Sequence, residues 1–213
     1  AKSNVLVDMT KGVSYLSEIK DSCKTAFQQA CCAGVICGEA LRGLLIEVND
    51  VVLHADSIHR GAGQIMPPMK RAIFGCEISS GPRLMEPMFL CDITVPMDGL
   101  NGVYNTLSQR RGEVTEEISK SGTPLTQIKA YLPVLESFGF TGLLRQNTSG
   151  MAFPQMIFSH WQIMMGDLYE FNDKLKKLVP LESSFAVEKS LEVRKRKGLK
   201  QILPDIGDFS DKV

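Results

Sequence analysis

The first eighty residues switch between strand-like and helix-like spacing of apolar side chains. The run Asn4–Val7 is strand-like, and from Lys11 to Cys32 apolar residues recur three and four positions apart. That spacing places them on one face of an amphipathic helix, which we expect to end at Gly34 and Gly38. Leu44–Leu53 is rich in β-forming residues with polar side chains alternating outward, and this predicts a second strand.

A second helix is predicted after a glycine-containing loop. Residues Gln64–Ser79 carry apolar side chains at helical spacing, and Gly81 followed by Pro82 marks the end. Pro67 and Pro68 fall near its beginning, so we expect them in the first turn, where proline costs no intrahelical hydrogen bond.

Residues 86–161 show a complete and regular pattern of strands and helices. An alternating strand at Phe89–Val95 is followed by a short helix, a hairpin, a second helix and a last strand. These later elements are predicted at Leu100–Leu107, at Glu113–Ser119 and Leu125–Leu132, from Pro133 to Leu143, and at Met151–Phe158. The order βαββαβ is that of the ferredoxin-like split βαβ unit.

The last fifty residues have no strong core pattern of their own. Gly166–Ser184 is polar and predicted to be irregular, whereas Val187–Leu199 is predicted to be helical. So short a piece needs a partner surface, and we expect it to pack on the first unit. The predicted architecture is therefore α+β with two domains, residues 1–85 plus 162–213 and residues 86–161.

The composition limits the classes of function that this chain can have. The 213 residues carry 24 Lys plus Arg and 24 Asp plus Glu, so the formal net charge is zero and a polybasic coat for nucleic acid is excluded. Any RNA contact must come from local basic patches, and no apolar run approaches the roughly 20 residues of a membrane span. The candidate patches are Lys70-Arg71, Arg110-Arg111, Lys174 with Lys176 and Lys177, Lys189, and Arg194–Lys197 with Lys200.

The cysteines argue against a zinc site and a disulfide framework. Six are present, with no CxxC pair and no histidine at ligand spacing beside them. Cys23 falls on the apolar stripe of the first helix and Cys91 on the inward face of a strand, which suits buried thiols in a reducing compartment. With no signal peptide visible, we expect a cytoplasmic protein. The first residue is Ala, and we expect a fragment of something larger.

The loop between the second strand and the second helix holds two of the three histidines, His54 and His59. Loops held by rigid elements often carry function, and Gly61 and Gly63 suggest positive φ or close backbone approach. The pattern fits an exposed imidazole at a tip, and it equally fits an ordinary solvated loop. A metal bound by His54, Asp56 and His59 is disfavoured, because a structural zinc site requires a fourth ligand and His160 lies in the other unit.

Enzyme motifs are absent from these residues. No nucleophile elbow supports a Ser-His or Cys-His hydrolase, although a small metalloenzyme or other hydrolase remains conceivable on the loop residues alone. Neither a GxxxxGK[ST] loop nor a GxGxxG turn occurs, so we expect no nucleotide binding by this chain. Low aromatic content, 7%, argues against base stacking of the RRM kind.

A resemblance emerges at the loop itself. Residues 53–64 read Leu-His-Ala-Asp-Ser-Ile-His-Arg-Gly-Ala-Gly-Gln and strongly resemble the diphthamide loop of translation elongation factor 2, the archaeal and eukaryotic translocation GTPase. Seven further segments, spread over nearly the whole chain, are similar to the C-terminal third of that family. They are Glu18–Ser22, Glu86–Leu90, Arg111–Val114, Ala130–Pro133, Glu136–Gly142, Phe153–Met156 and Arg194–Gly198.

The resemblance implies a fold and a site. It implies a ribosomal-protein-S5-like domain IV over residues 1–85 plus 162–213 and a ferredoxin-like domain V, of the elongation factor G C-terminal type, over 86–161. His59 takes the place of the histidine converted to diphthamide, the target of diphtheria-type toxins that use NAD. The other tip-loop residues would contact the ribosome, with no catalytic residue and no metal; they are His54, Asp56, Ser57, Ile58, Arg60, Gly61 and Gly63.

The resemblance also implies partners and missing parts. Expected partners are the ribosome with tRNA and mRNA at its decoding site, the diphthamide-synthesis enzymes and the toxins, with no membrane and a monomeric protein. GTP and Mg would belong to an N-terminal GTPase domain, so the fragment itself is not expected to be an enzyme. The spliceosomal and ribosome-biogenesis GTPases are the alternative. One departure is Ala62, where the familiar loop has glycine, and it could alter the turn.

Overall fold

A computed structural model describes residues 3–119, 121–173 and 177–209. The chain divides into two compact units, residues 1–83 with 165–213 and residues 84–164. Each unit has its own buried apolar side chains. The two units are described separately below.

The first unit begins with a strand, a helix and a second strand. Strand β1 spans Val5–Asp8, helix α1 spans Leu16–Cys32 and strand β2 spans Leu45–Val48, with β1 and β2 parallel. The predicted start of α1 at Lys11 was wrong by five residues, because Gly12 and Tyr15 have φ of 70° and 66° and interrupt a right-handed helix. Strand β2 is also shorter than the predicted run.

Helix α2 spans Ala62–Ser79 and follows a short 3₁₀ helix at Ser57–Arg60. Pro67 and Pro68 were expected in its first turn, but the helix starts early enough to place both in the second turn. A proline has no amide hydrogen to donate to the carbonyl four residues earlier in the helix. The two carbonyls affected belong to exposed residues, so water can bind them instead. Helices α1 and α2 pack together and bury Ile19, Ala26, Ala30, Ile73 and Ile78.

The second unit is a four-stranded antiparallel sheet covered by helices. Strands β3 (Met85–Pro96), β4 (Glu113–Ser119), β5 (Leu125–Pro133) and β6 (Phe153–Ile163) lie in the order β4-β5-β3-β6. Helix α3 (Leu100–Gln109) follows β3, and two helices, α4 (Val134–Ser137) and α5 (Phe140–Asn147), follow β5. The predicted βαββαβ order is confirmed. The core of this unit consists of inward-facing side chains of the strands, which pack against α3 and α5.

Two details of this unit differ from the sequence-based expectation. The helix predicted from Pro133 to Leu143 is two helices, because Gly139 between them has φ 74°. Strand β6 is longer than predicted, and its Ile163 pairs with Met85 of β3. Residues on both sides of the expected boundaries at 85/86 and 161/162 therefore belong to one sheet. The chain passes from one unit to the other at 83/84 and 164/165 instead.

The C-terminal piece adds elements to the first unit. The segment predicted to be irregular contains the antiparallel strands β7 (Tyr169–Asn172) and β8 (Lys177–Pro180). Helix α6 spans Phe185–Arg196, and its N-cap residue Ser184 accepts a hydrogen bond from the Val187 amide. The predicted basic residues Lys174 and Lys176 lie outside the described residues. None of the described helices has the length and apolar character needed to cross a membrane.

Candidate functional site

The loop between β2 and α2 is exposed over most of its length. His54, Asp56, Ser57 and His59 are all exposed, and the Ile58 side chain is 80% exposed. The 3₁₀ turn is closed by the backbone, since the His59 amide donates to the Asp56 carbonyl at 3.2 Å. His59 is therefore an exposed imidazole, which fits both interpretations of the sequence, a ring presented at a tip and an ordinary solvated loop.

Arg60 is the exception within the loop, because its side chain points inward. Only 8% of Arg60 is exposed. Its Nη1 donates to the carbonyl oxygens of His54 at 2.8 Å and Ala55 at 2.6 Å, and its Nε donates to Glu18 Oε2 at 2.8 Å. The guanidinium also lies over the Tyr15 ring, with 4.1 Å from Cζ to the ring centroid. A charged group held by so many partners fixes the base of the loop.

This geometry gives Arg60 a structural role that the sequence did not predict, while its contact with the ribosome stays a prediction. We expected Arg60 to contact the ribosome together with its exposed neighbours, but its buried guanidinium is committed to the protein's own carbonyls and to Glu18. Sequence reasoning missed Glu18 and Tyr15 as parts of the site. Glu18 lies 42 positions from Arg60, and no local pattern links the two.

The glycines of the loop do not have the conformations that we expected. Gly61 has φ −66°, and Gly63 lies within α2. A Cβ added at either position would meet nothing within 4 Å, so neither positive φ nor close approach requires glycine. The same geometry explains Ala62. It is the first residue of α2, a right-handed helical position that alanine favours.

The two histidines of the loop lie against each other. Their ring centroids are 4.4 Å apart at an interplanar angle of 67°. His54 Nδ1 accepts a hydrogen bond from the Asp56 amide at 3.0 Å, which fixes the orientation of the His54 ring. One possible ligand atom from each of His54, Asp56 and His59 lies within 4.8 Å of the others. Three polar groups that were only neighbours in sequence therefore share one exposed surface.

The basic patches are less available than the sequence suggests. Arg194 is 7% exposed, and its Nε donates to the Lys200 carbonyl at 2.7 Å. Arg111 forms a two-point pair with Glu86, with Nη1 to Oε1 at 3.0 Å and Nη2 to Oε2 at 2.9 Å. Both arginines stabilise the fold of their own unit. Lys197 pairs with Glu39 at 2.6 Å, which partly neutralises the patch at the end of α6.

An apolar groove of about 860 Å³ lies in the first unit between α1, α2 and the strands β1 and β2. Its lining includes the thiols of Cys23 and Cys76, but none of the histidines that the structure describes. A Cys-His hydrolase needs a base within hydrogen-bond reach of the thiol. The groove therefore gives no support to the hydrolase alternative.

Two family models match the chain, one to each unit. The model described as elongation factor G, domain IV, matches residues 1–80, and the model described as elongation factor G C-terminus matches residues 83–171. The fold is thus the two-domain α+β arrangement of a translation factor. Together the two matches indicate that the chain carries the C-terminal part of an elongation-factor-type translocase, with elongation factor G as the matched family. Neither matched model describes a GTPase domain.

Proposed function

We propose that the chain is the ribosome-binding C-terminal part of an elongation factor 2, and that His59 is its diphthamide site. The observation that carries this proposal is the exposed His59 ring on a loop whose base is fixed by buried Arg60. An enzyme that adds a group to a ring carbon needs the ring accessible and held in a defined place. The Leu53–Gln64 sequence supports elongation factor 2 over other members of the family.

The proposed mechanism is mechanical and electrostatic. During GTP-dependent translocation, the tip of domain IV enters the decoding site and follows the tRNA and mRNA. Exposed His54, Asp56, Ser57 and His59 supply short polar groups there, and the Ile58 side chain supplies an apolar one. Anchoring through Arg60 keeps the loop in one shape, so that little conformational entropy is lost on contact with RNA.

The proposed setting is the cytoplasm, with a monomeric protein bound to the ribosome. Diphthamide-synthesis enzymes would act on His59, and diphtheria-type toxins would then transfer the ADP-ribosyl group of NAD to the modified ring. GTP hydrolysis with Mg would be carried out by a GTPase domain of the whole protein. We assign the residues of the present chain no catalytic step.

The test is the mass of the peptide containing His59, from protein made in a host with the diphthamide pathway. We expect the diphthamide mass increase on His59 and, after incubation with diphtheria toxin and NAD, a further ADP-ribose increase. Protein made in bacteria, which lack the pathway, should show neither change. His160→Gln is the matched control, because that histidine lies in the other unit and should leave the labelling unchanged.

An unmodified His59 from a competent host would contradict the proposal. It would favour the alternative, in which the chain comes from a spliceosomal or ribosome-biogenesis GTPase of similar build. His59→Gln must abolish labelling if the assignment is right. Labelling that persists in this variant would place the modification elsewhere.

A further inference from the structure

We propose that His54, Asp56 and His59 form a binding site for a divalent first-row metal ion, zinc foremost. One ligand atom of each residue lies within 4.8 Å of the other two, and all three side chains are exposed. Two imidazoles and one carboxylate are a ligand set that zinc and its neighbours accept. The site is proposed for unmodified His59, because a cationic group on a free ring carbon would adjoin Nε2 and repel an ion there; the test therefore uses protein made in bacteria, which lack the diphthamide pathway.

The distances require only small side-chain movements. Bonds of about 2.0–2.2 Å place neighbouring ligand atoms of a tetrahedral ion about 3.5 Å apart. Ligand atoms at most 4.8 Å apart therefore need to approach by little more than 1 Å in the widest case. Because all three side chains are exposed, they can make this approach by changing rotamers without displacing packed neighbours.

The backbone beneath the three ligands is already ordered. Arg60 Nη1 holds the carbonyls of His54 and Ala55, and the His59 amide is bound to the Asp56 carbonyl. The backbone therefore loses little further conformational entropy when the three side chains converge on an ion. The charge of Arg60 lies close by, but the Glu18 carboxylate pairs with it at 2.8 Å and reduces its repulsion of a cation.

The hydrogen bond that His54 already accepts limits the affinity of the site for a metal ion. Its Nδ1 accepts the Asp56 amide hydrogen, so a neutral ring carries its proton on Nε2. An ion at Nδ1 must replace this hydrogen bond, and an ion at Nε2 requires the ring proton to move to Nδ1, which also breaks the bond from the Asp56 amide. Both routes have a cost, and we expect weaker binding than at a four-ligand structural site.

Three protein ligands leave coordination positions open. Zinc sites of this kind complete their shell with water or with a bound group, so the missing fourth protein ligand, which argued against a metal in the sequence, does not forbid one. Water would fill the open positions in the isolated chain.

The test is calorimetric titration of the 213-residue chain with zinc chloride. Cys32 and Cys76 are exposed thiols that could bind zinc, so the titration uses a Cys32→Ser/Cys76→Ser background. We expect one site per chain at the loop. His54→Ala and His59→Ala should each weaken binding by at least about tenfold, since even changes outside the ligand set can cost that much.

His160→Ala is the matched control and should bind zinc as the background does, because His160 lies in the other unit. NMR of the histidine rings gives a second readout, with shifts on zinc addition at His54 and His59 and none at His160. Equal zinc binding by the background and its His59→Ala form would overturn the proposal. So would loss of all binding in the Cys32→Ser/Cys76→Ser background. Neither result would alter the mass test at His59, so the two proposals fail separately.

Discussion

Arg60 and Glu18 join the tip loop to the first helix. Arg60 Nε donates to Glu18 Oε2 at 2.8 Å, and the side chain of Arg60 is 6% exposed while that of Glu18 is 46% exposed. The same guanidinium holds two loop carbonyls. The residue next to His59 is thus the anchor of the loop, and it lies on the protein side of the 3₁₀ turn.

Arg60→Ala should loosen the loop without unfolding the unit. The variant removes the donors of the His54 and Ala55 carbonyls, a loss of about 1–3 kcal/mol for hydrogen bonds to a charged group. Amide hydrogen exchange at residues 54–60 should become faster, while exchange in the core of α1 stays as it was. In a host with the diphthamide pathway, the modified fraction at His59 should fall.

Arg60→Lys provides the control for charge. Lysine keeps the cation but lacks the planar fork that reaches several acceptors at once, so it should restore only part of the protection. Full protection of the loop in Arg60→Ala would show that the backbone of the 3₁₀ turn holds its shape unaided, contrary to our account.

Gly102→Ala should destabilise the second unit strongly. Gly102 lies in α3, and a Cβ there would clash with the Asn147 carbonyl oxygen of α5. Since backbone cannot yield as a flexible side chain does, α3 and α5 must separate, at an expected cost of about 1–3 kcal/mol or more. Chemical denaturation followed by tryptophan fluorescence measures the loss, because Trp161 lies in this unit.

Gly142→Ala is the matched control for that substitution. Gly142 lies in α5, where an added Cβ meets nothing within 4 Å. Alanine there should leave stability unchanged or raise it by about 0.5–1 kcal/mol, because glycine loses more backbone entropy in a helix. Equal destabilisation by the two substitutions would mean that the α3–α5 approach is looser than described.

The six cysteines should divide into reactive and protected groups. Burial raises the pKa of the Cys37 and Cys91 thiols to about 11, so at pH 8 roughly one molecule in a thousand carries the thiolate. Cys32 and Cys76 are exposed. Iodoacetamide followed by peptide mass analysis should modify the exposed pair first.

The protected thiols also report unfolding of each unit separately. Cys37 lies in the first unit and Cys91 in the second, so labelling at increasing urea should reveal each as its own unit opens. Labelling of Cys91 in native buffer at the rate of Cys76 would contradict the buried position that both sequence and structure assign to it.

Glu77 should make the first unit less stable as pH rises through the weakly acidic range. Burial raises the pKa of its carboxyl above the ordinary value of 4.5, against the opposing effect of hydrogen bonds from the Val35 and Ile36 amides. In the window between 4.5 and the raised pKa, the native state keeps a proton that the unfolded state has lost. The contribution of this proton to stability is complete below that window and is lost as pH rises through it.

Glu77→Gln should remove that pH dependence. The amide stays neutral, and its oxygen can still accept from the Val35 amide, which donates to Glu77 Oε2 at 3.0 Å. Denaturation midpoints of wild type and variant, measured from pH 4 to 7, should diverge in favour of the variant as pH rises. A constant difference across this range would refute the assignment.

Much of the fold could be predicted from local pattern. The hairpin strand predicted at Leu125–Leu132 ends one residue later, at Pro133, and was predictable because a half-buried strand alternates inward and outward side chains. Helix ends that depend on the backbone angle of a single residue were not predicted. The left-handed Tyr15 delays α1, and the left-handed Gly139 divides a predicted helix in two. The strands β7 and β8 were missed because each has only four residues, too few for a periodic pattern to stand out.

The candidate site likewise has features that the sequence predicted and features that only the tertiary structure decided. Sequence alone identified this loop as the candidate site, since His54, Asp56 and His59 lie within six residues and glycines follow them. It also placed Arg60 beside its exposed neighbours as a contact of the tip. Only the tertiary structure turned that side chain inward, because its partners Tyr15 and Glu18 belong to α1 and the turn before it. A contact between residues 42 positions apart depends on how the helices pack, which local spacing does not encode.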